Sequence, residues 1–170
     1  MPFQLINLFC RLAGNLAEER ESFYEVVGNC NETVGMPMGT LLTPLSTGAY
    51  SPERRRVVDE NIRVCRYFLL LVEDVWEAPV AGFLHDYRLA LKCCTDESLP
   101  MREVVVALKK TPKDEEPGDL AQFRAALAAD GAPRHFEFAT AEEFRSQIDP
   151  ILAEWLRAEG SQMASASSAP

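Results

Sequence analysis

Six consecutive apolar residues, Tyr67-Phe68-Leu69-Leu70-Leu71-Val72, run directly into Glu73 and Asp74. An uninterrupted apolar run of this length has no polar face to turn to water. It reads as a strand covered on both sides, the place of an inner strand in a parallel sheet. Beyond Trp76, Ala81 to Cys94 returns at helical spacing, with Phe83, Tyr87, Ala90 and Cys94 forming one stripe. A buried strand that ends in acids and feeds a helix is a construction from which α/β proteins build sites.

The flanking segments extend the pattern. Phe3 to Phe9 reads as a first buried strand. Leu16 to Val27 reads as a helix with Leu16, Phe23 and Val27 inward, Glu18 to Glu21 opposite or flanking, and Gly28-Asn29 as its end. The Gly/Pro/Thr-rich stretch from Gly35 to Tyr50 holds a short strand near Thr40 to Leu42. Ser51-Pro52-Glu53 is a helix start, with a capping serine and proline at the first helical position, and that helix runs to Cys65. Glu103 to Leu108 is a further buried strand, and Thr111 to Pro117 a charged, proline-bounded loop. Asp119 to Ala129 is a helix closed by Gly131, followed by a strand at Arg134 to Phe138. Thr140-Ala141-Glu142-Glu143 matches a capping box opening the last helix, which Pro150 is expected to kink or restart.

Regular β-α alternation predicts an α/β fold: a three-layer αβα, flavodoxin-like arrangement with a five-stranded parallel sheet in the order 2-1-3-4-5. Its ligand crevice falls at the carboxyl ends of strands one and three, which brings Arg11 to Asn15 beside Glu73 to Trp76. Residues 1–160 read as a single domain. Residues 161–170, rich in serine and alanine, read as a disordered tail.

A net charge of −9 argues against nucleic acid and anionic membrane surfaces as partners. The odd count of 5 cysteines lacks paired C-x-x-C spacing, and the 2 histidines leave no basis for a histidine-rich metal centre. Met1-Pro2-Phe3 has no basic leader region, and no apolar run approaches the roughly 18 residues that span a bilayer. The expectation is a cytoplasmic chain with free, mostly buried thiols.

Several residues carry two readings each. Asp86 is either a catalytic or ligand-binding carboxylate or a solvated acid favouring a helix N-terminus. Glu73 and Asp74 either hold ribose hydroxyls or simply close a buried strand. Trp76 either stacks on a base or nicotinamide ring or packs beneath its loop. Arg11 and Asn15 stand where a phosphate meets the first helix, although Glu18 and Glu19 oppose an anion there. Arg54-Arg55-Arg56 is either a solvated face or an interaction surface for an acidic patch, such as Asp114 to Glu116, on a second copy. His85 is a proton relay to Asp86 or an unrelated neighbour, since adjacent helical residues diverge. No phosphate-cradling glycine loop and no Ser/His/Asp spacing is present.

Two segments resemble a known group. Leu16-Ala17-Glu18-Glu19-Arg20, after the first strand, is similar to the L-x-x-E-R helix start of a TIR-like bacterial family of unknown function. That family sits within the Toll/interleukin-1 receptor (TIR) and nucleoside deoxyribosyltransferase-like group. It also shows a Pro-x-Gly region at strand two, a Y-x-x-L-L-L strand and a helix with E-Y-x-x-A, which here reads Asp86-Tyr87-Arg88-Leu89-Ala90. The resemblance implies that Asp86 takes the place of the glutamate that serves N-glycosidic bond cleavage, with NAD or another nucleotide as substrate or ligand. It also implies a Ser-Ser-Thr after strand one, where Cys10, Arg11 and Leu12 stand. Aspartate shortens the reach by one methylene, and about 1 Å of misplacement costs on the order of a hundredfold in rate. The reading that follows is a cytoplasmic signalling and interaction domain, in bacterial defence or stress, partnered by proteins or by itself. The alternatives are an NAD glycohydrolase or deoxyribosyltransferase-like enzyme using Asp86, and a non-catalytic nucleotide sensor.

Overall fold

A computed structural model describes residues 3–45, 52–73, 81–110, 118–129 and 131–167. Strand β1 (Gln4–Ala13) leads to α1 (Ala17–Cys30), a π-helical turn (Asn31–Gly35), the short α2 (Met36–Met38) and β2 (Thr40–Leu45). A 3₁₀ turn (Pro52–Arg54) opens α3 (Arg55–Val64), followed by β3 (Tyr67–Glu73), α4 (Ala81–Thr95) and β4 (Glu103–Lys109). Then come α5 (Gly118–Leu127), β5 (Arg134–Phe138) and α6 (Ala141–Ser167). The five strands form one parallel sheet in the order β2-β1-β3-β4-β5, a flavodoxin-like α/β fold as the alternation predicts.

The apolar run earns its central place. Tyr67 to Val72 are all buried, with Leu70 in register with Arg11 on one side and Val106 on the other. By contacts the chain forms two compact units, one of Leu8–Leu16 with Pro44–Ala139, the other of Met1–Asn7, Ala17–Thr43 and Thr140–Pro170. In the first, Phe9 stacks on Phe68 with ring planes 2° apart, while Phe83 and Tyr87 of α4 meet Phe123 of α5 edge-on. Cys93, rather than Cys94, completes the inward stripe of α4. Spacings of three and four are both helical, and Cys94 is exposed with its thiol 3.4 Å from the Arg102 carbonyl.

In the second unit α1 packs on α6. The expected stop at Gly28-Asn29 does not occur: the helix continues to Cys30 and into the π turn. A helical glycine costs about 1 kcal/mol, less than is gained by burying Val26, Val27 and Cys30 around it. Glu19, expected opposite or flanking the inward face, is 1% exposed because it shares the face of Phe23, Val26 and Cys30. Asn31 then pins the π turn to β2, accepting the Leu42 N–H at 2.7 Å and donating to the Leu42 carbonyl at 3.0 Å.

Pro150 does not restart α6, which runs as one helix from Ala141 to Ser167 and so continues through residues expected to lack structure. An interior proline costs about 3 kcal/mol. Phe144, Ile148, Ile151, Leu152, Trp155 and Leu156 are buried on both sides of it, each contributing roughly 1.5–3 kcal/mol. The expected cap is present: Thr140 Oγ1 accepts the Glu143 N–H at 3.2 Å.

All five cysteines are free thiols, four of them buried. Burial pushes Cys65 from 9.0 up to about 12; burial, together with the neighbouring Asp149 carboxylate, does the same to Cys30. Each folded thiol therefore holds its proton above the range in which the unfolded chain releases it. The stabilisation is complete below about pH 9 and is lost as pH rises towards the folded values. The urea midpoint of wild type is expected to fall more steeply above about pH 9 than that of Cys30→Ala/Cys65→Ala. Equal slopes would show that these thiols do not set the alkaline limit.

Candidate functional site

The site lies in the unit formed by Leu8–Leu16 and Pro44–Ala139. Arg11 lies within β1, not after it as the sequence suggested, because the strand runs on to Ala13. Its Nε stands 2.9 Å from Asp86 Oδ2. Asp86 occupies the inward side of α4, where spacing from Phe83 and Ala90 directs it to the core, and it is 1% exposed. Its other oxygen, Oδ1, accepts from Nη2 of Arg55 in the first turn of α3. Both carboxylate oxygens of the candidate catalytic residue are thus engaged by guanidinium groups from two different elements.

The chain of charges continues outward. Arg55 Nε donates to Asp59 Oδ1 at 2.9 Å, one turn along α3, and His85 Nε2 lies 3.3 Å from the same oxygen. Burial works against the Arg55 charge, but its bonds to Asp86 and Asp59 outweigh that and hold the guanidinium protonated more firmly than usual. Two arginines face two aspartates, so the cluster is balanced in charge. Exposure falls inward along it, from 52% at His85 to 28% at Asp59, 22% at Arg55 and 1% at Asp86.

Glu73, the last residue of β3, serves the neighbouring corner. Its Oε2 accepts the backbone N–H of Asn15 at 2.8 Å, the residue through which β1 passes to α1. Gly14 makes this approach with φ at +122°, and a Cβ on it would lie 2.5 Å from Glu73 Cβ. Asn15 therefore contributes its main chain, and one oxygen of Glu73 is committed to the protein's own backbone.

The arginine run divides. Arg55 turns into the site, whereas Arg54 and Arg56 are exposed, with Arg56 Nε 2.9 Å from Glu60 one turn on. Asp74, Trp76 and the acidic segment Asp114 to Glu116 lie outside the described residues. The sequence singled out Arg11, Asn15, Glu73 and Asp86. The fold adds Asp59 and Gly14, turns Arg55, read as part of an interaction surface, onto Asp86, and sets His85, read as a relay to Asp86, against Asp59 instead. Asp59 went unnoticed although its spacing of four from Arg55 was a readable signal.

A separate open groove of about 600 Å³ runs between α1 and α6, lined by Glu25, Asn29, Glu142, Arg145 and Asp149 among others, and none of the predicted site residues borders it. Among the described residues no group of acidic, histidine and cysteine side chains forms a metal-binding cluster, and no helix is long and apolar enough to cross a membrane. No protein-family model matches the chain, and no curated protein matches it.

Proposed function

We propose that this chain is a TIR-like interaction and signalling module of the cytoplasm, acting in bacterial defence or stress through assembly with itself or with other protein domains, and that its crevice does not cleave N-glycosidic bonds. The resemblance supplies the group and the pathway. One observation carries the choice between module and enzyme: Asp86, standing where the group's catalytic glutamate falls, is buried with both oxygens held by Arg11 and Arg55.

A carboxylate that stabilises or captures an oxocarbenium centre must direct its charge at the sugar as the base departs. Here that charge is already divided between two guanidiniums. Freeing Oδ2 would strand Arg11, which is 13% exposed, and freeing Oδ1 would break the Arg55 bond. The first alone costs several kcal/mol that a bound nucleotide would have to supply before any chemistry began. Glu73 offers no ready substitute, since its Oε2 is spent on the Asn15 N–H.

Concentrated protein incubated with NAD is expected to release no nicotinamide above the buffer blank, with Asp86→Ala, checked for folding by circular dichroism, behaving alike. Release that scales with wild-type concentration and vanishes in the folded variant would overturn the reading and restore the glycohydrolase.

A further inference from the structure

We infer that the groove between α1 and α6 binds a free cationic amino acid, of the arginine or lysine type. Binding there goes beyond the module reading and is independent of what the Asp86 crevice does.

The two helices run parallel, since Glu25 pairs with Arg145 and the Cys30 thiol lies 3.5 Å from Asp149 Oδ1. On α6 the lining residues Glu142, Arg145 and Asp149 are three and four positions apart and share one face, as do Glu25 and Asn29 on α1. The charges therefore follow a set order along the groove. Glu142 stands at one end, Arg145 with Glu25 in the middle, and Asp149 with Asn29 at the other end. Buried Val26 gives an apolar floor. The volume of about 600 Å³ falls in the range of small-molecule sites.

An acidic surface alone would attract any cation, but the arginine in the middle changes what fits. Arg145 donates to Glu25 through Nη2 and keeps further N–H groups for a ligand carboxylate. With carboxylates on either side of it, the matching ligand carries one anionic group flanked by two cationic ones. A basic α-amino acid has that set. Its α-carboxylate lies on Arg145 and its α-ammonium on Glu142. Its side chain crosses Val26, and its terminal cation meets Asp149 and the Asn29 amide oxygen. Arg145 and Asp149 are about 6 Å apart along the helix, a rise that a three- or four-carbon side chain spans. The Cys30 thiol donates to Oδ1 of Asp149 and leaves Oδ2 to the ligand.

The unit that holds the groove has ten acidic residues against three basic ones, a field that draws cationic ligands in. Glu25 is 55% exposed and Arg145 49%. Contacts this open are individually weak, which sets the dissociation constant at about 1 mM.

Equilibrium dialysis of the full chain against labelled L-arginine at low salt tests the site. The competitors are L-lysine, L-norleucine and agmatine, the amine left when arginine loses its carboxylate. Arginine is expected to be retained and lysine to displace it, with norleucine and agmatine about fivefold weaker. Asp149→Asn and Glu142→Gln, the latter at an exposed position, are each expected to weaken arginine binding about fivefold. Arg145→Gln is expected to reverse the preference, so that agmatine binds more tightly than arginine. Circular dichroism checks that each variant is folded. No retention by wild type, or folded variants that retain arginine as wild type does, overturns the site. Agmatine competing as well as lysine also overturns it, since the groove would then be only an acidic surface.

Discussion

Asp86→Asn is expected to cost the fold about 3–5 kcal/mol, a loss large enough to lower the thermal midpoint by roughly 6–20 °C. The substitution keeps shape and volume but withdraws the single negative charge that Arg11 and Arg55 share. Arg11 is 13% exposed and Arg55 22%, so neither guanidinium gains a full hydration shell in exchange. The effect belongs chiefly to Arg11, which loses its carboxylate, while Arg55 keeps Asp59. Arg11→Met/Asp86→Leu leaves Arg55 with Asp59, already its partner, and fills the vacated space with carbon. That variant is expected to recover to within about 1–2 kcal/mol of wild type, because buried ion pairs are often replaced by apolar residues with little loss. Urea denaturation of both variants checks the pair of outcomes. A loss below about 1 kcal/mol in Asp86→Asn would mean that the clamp does not organise β1, α3 and α4.

How legible this was in the sequence depends on the range of the interactions. The β3 run could be read because a strand buried on both faces leaves no alternative to apolar residues, and the parallel order followed from the alternation. The Gly28-Asn29 stop was misread for the opposite reason. A local propensity of about 1 kcal/mol was set against packing by Val26, Val27 and Cys30 on α6, which no local signal reveals. Asp86 shows both sides. Its position in the D-Y-x-x-A segment marked it, but its partners come from β1 and from α3, and no spacing announces a charge pair closed by tertiary structure. The Arg55 to Asp59 half of the network, one helical turn apart, was open to reading. Arg54, Arg55 and Arg56 looked alike as a run. Only the helical phase of α3, with Val58 and Ile62 inward, separates the one arginine that builds the site from the two that face solvent.

The corner at Gly14 is the second place where a small change should have a large effect. Gly14→Ala is expected to cost about 2–5 kcal/mol, from backbone strain at a positive φ together with overpacking against Glu73. These two contributions separate in a double-mutant cycle. A Cβ on Gly14 would lie 2.5 Å from Glu73 Cβ and 2.8 Å from Oε2, so Glu73→Gly removes the obstacle and leaves only the strain. In that background Gly14→Ala should cost no more than about 1–3 kcal/mol. Glu73→Gly itself gives up the bond to the Asn15 N–H, about 0.5–1.5 kcal/mol for a bond of this kind. The coupling between the two sites, measured by urea denaturation, is therefore expected at about 1–3 kcal/mol. Additivity within about 0.5 kcal/mol would show that the β1–α1 corner relaxes away from Glu73, and that the carboxylate is free to turn from the Asn15 main chain towards the crevice. A strong coupling fixes Glu73 as the residue that sets this corner, and with it the register at which Arg11 enters the clamp.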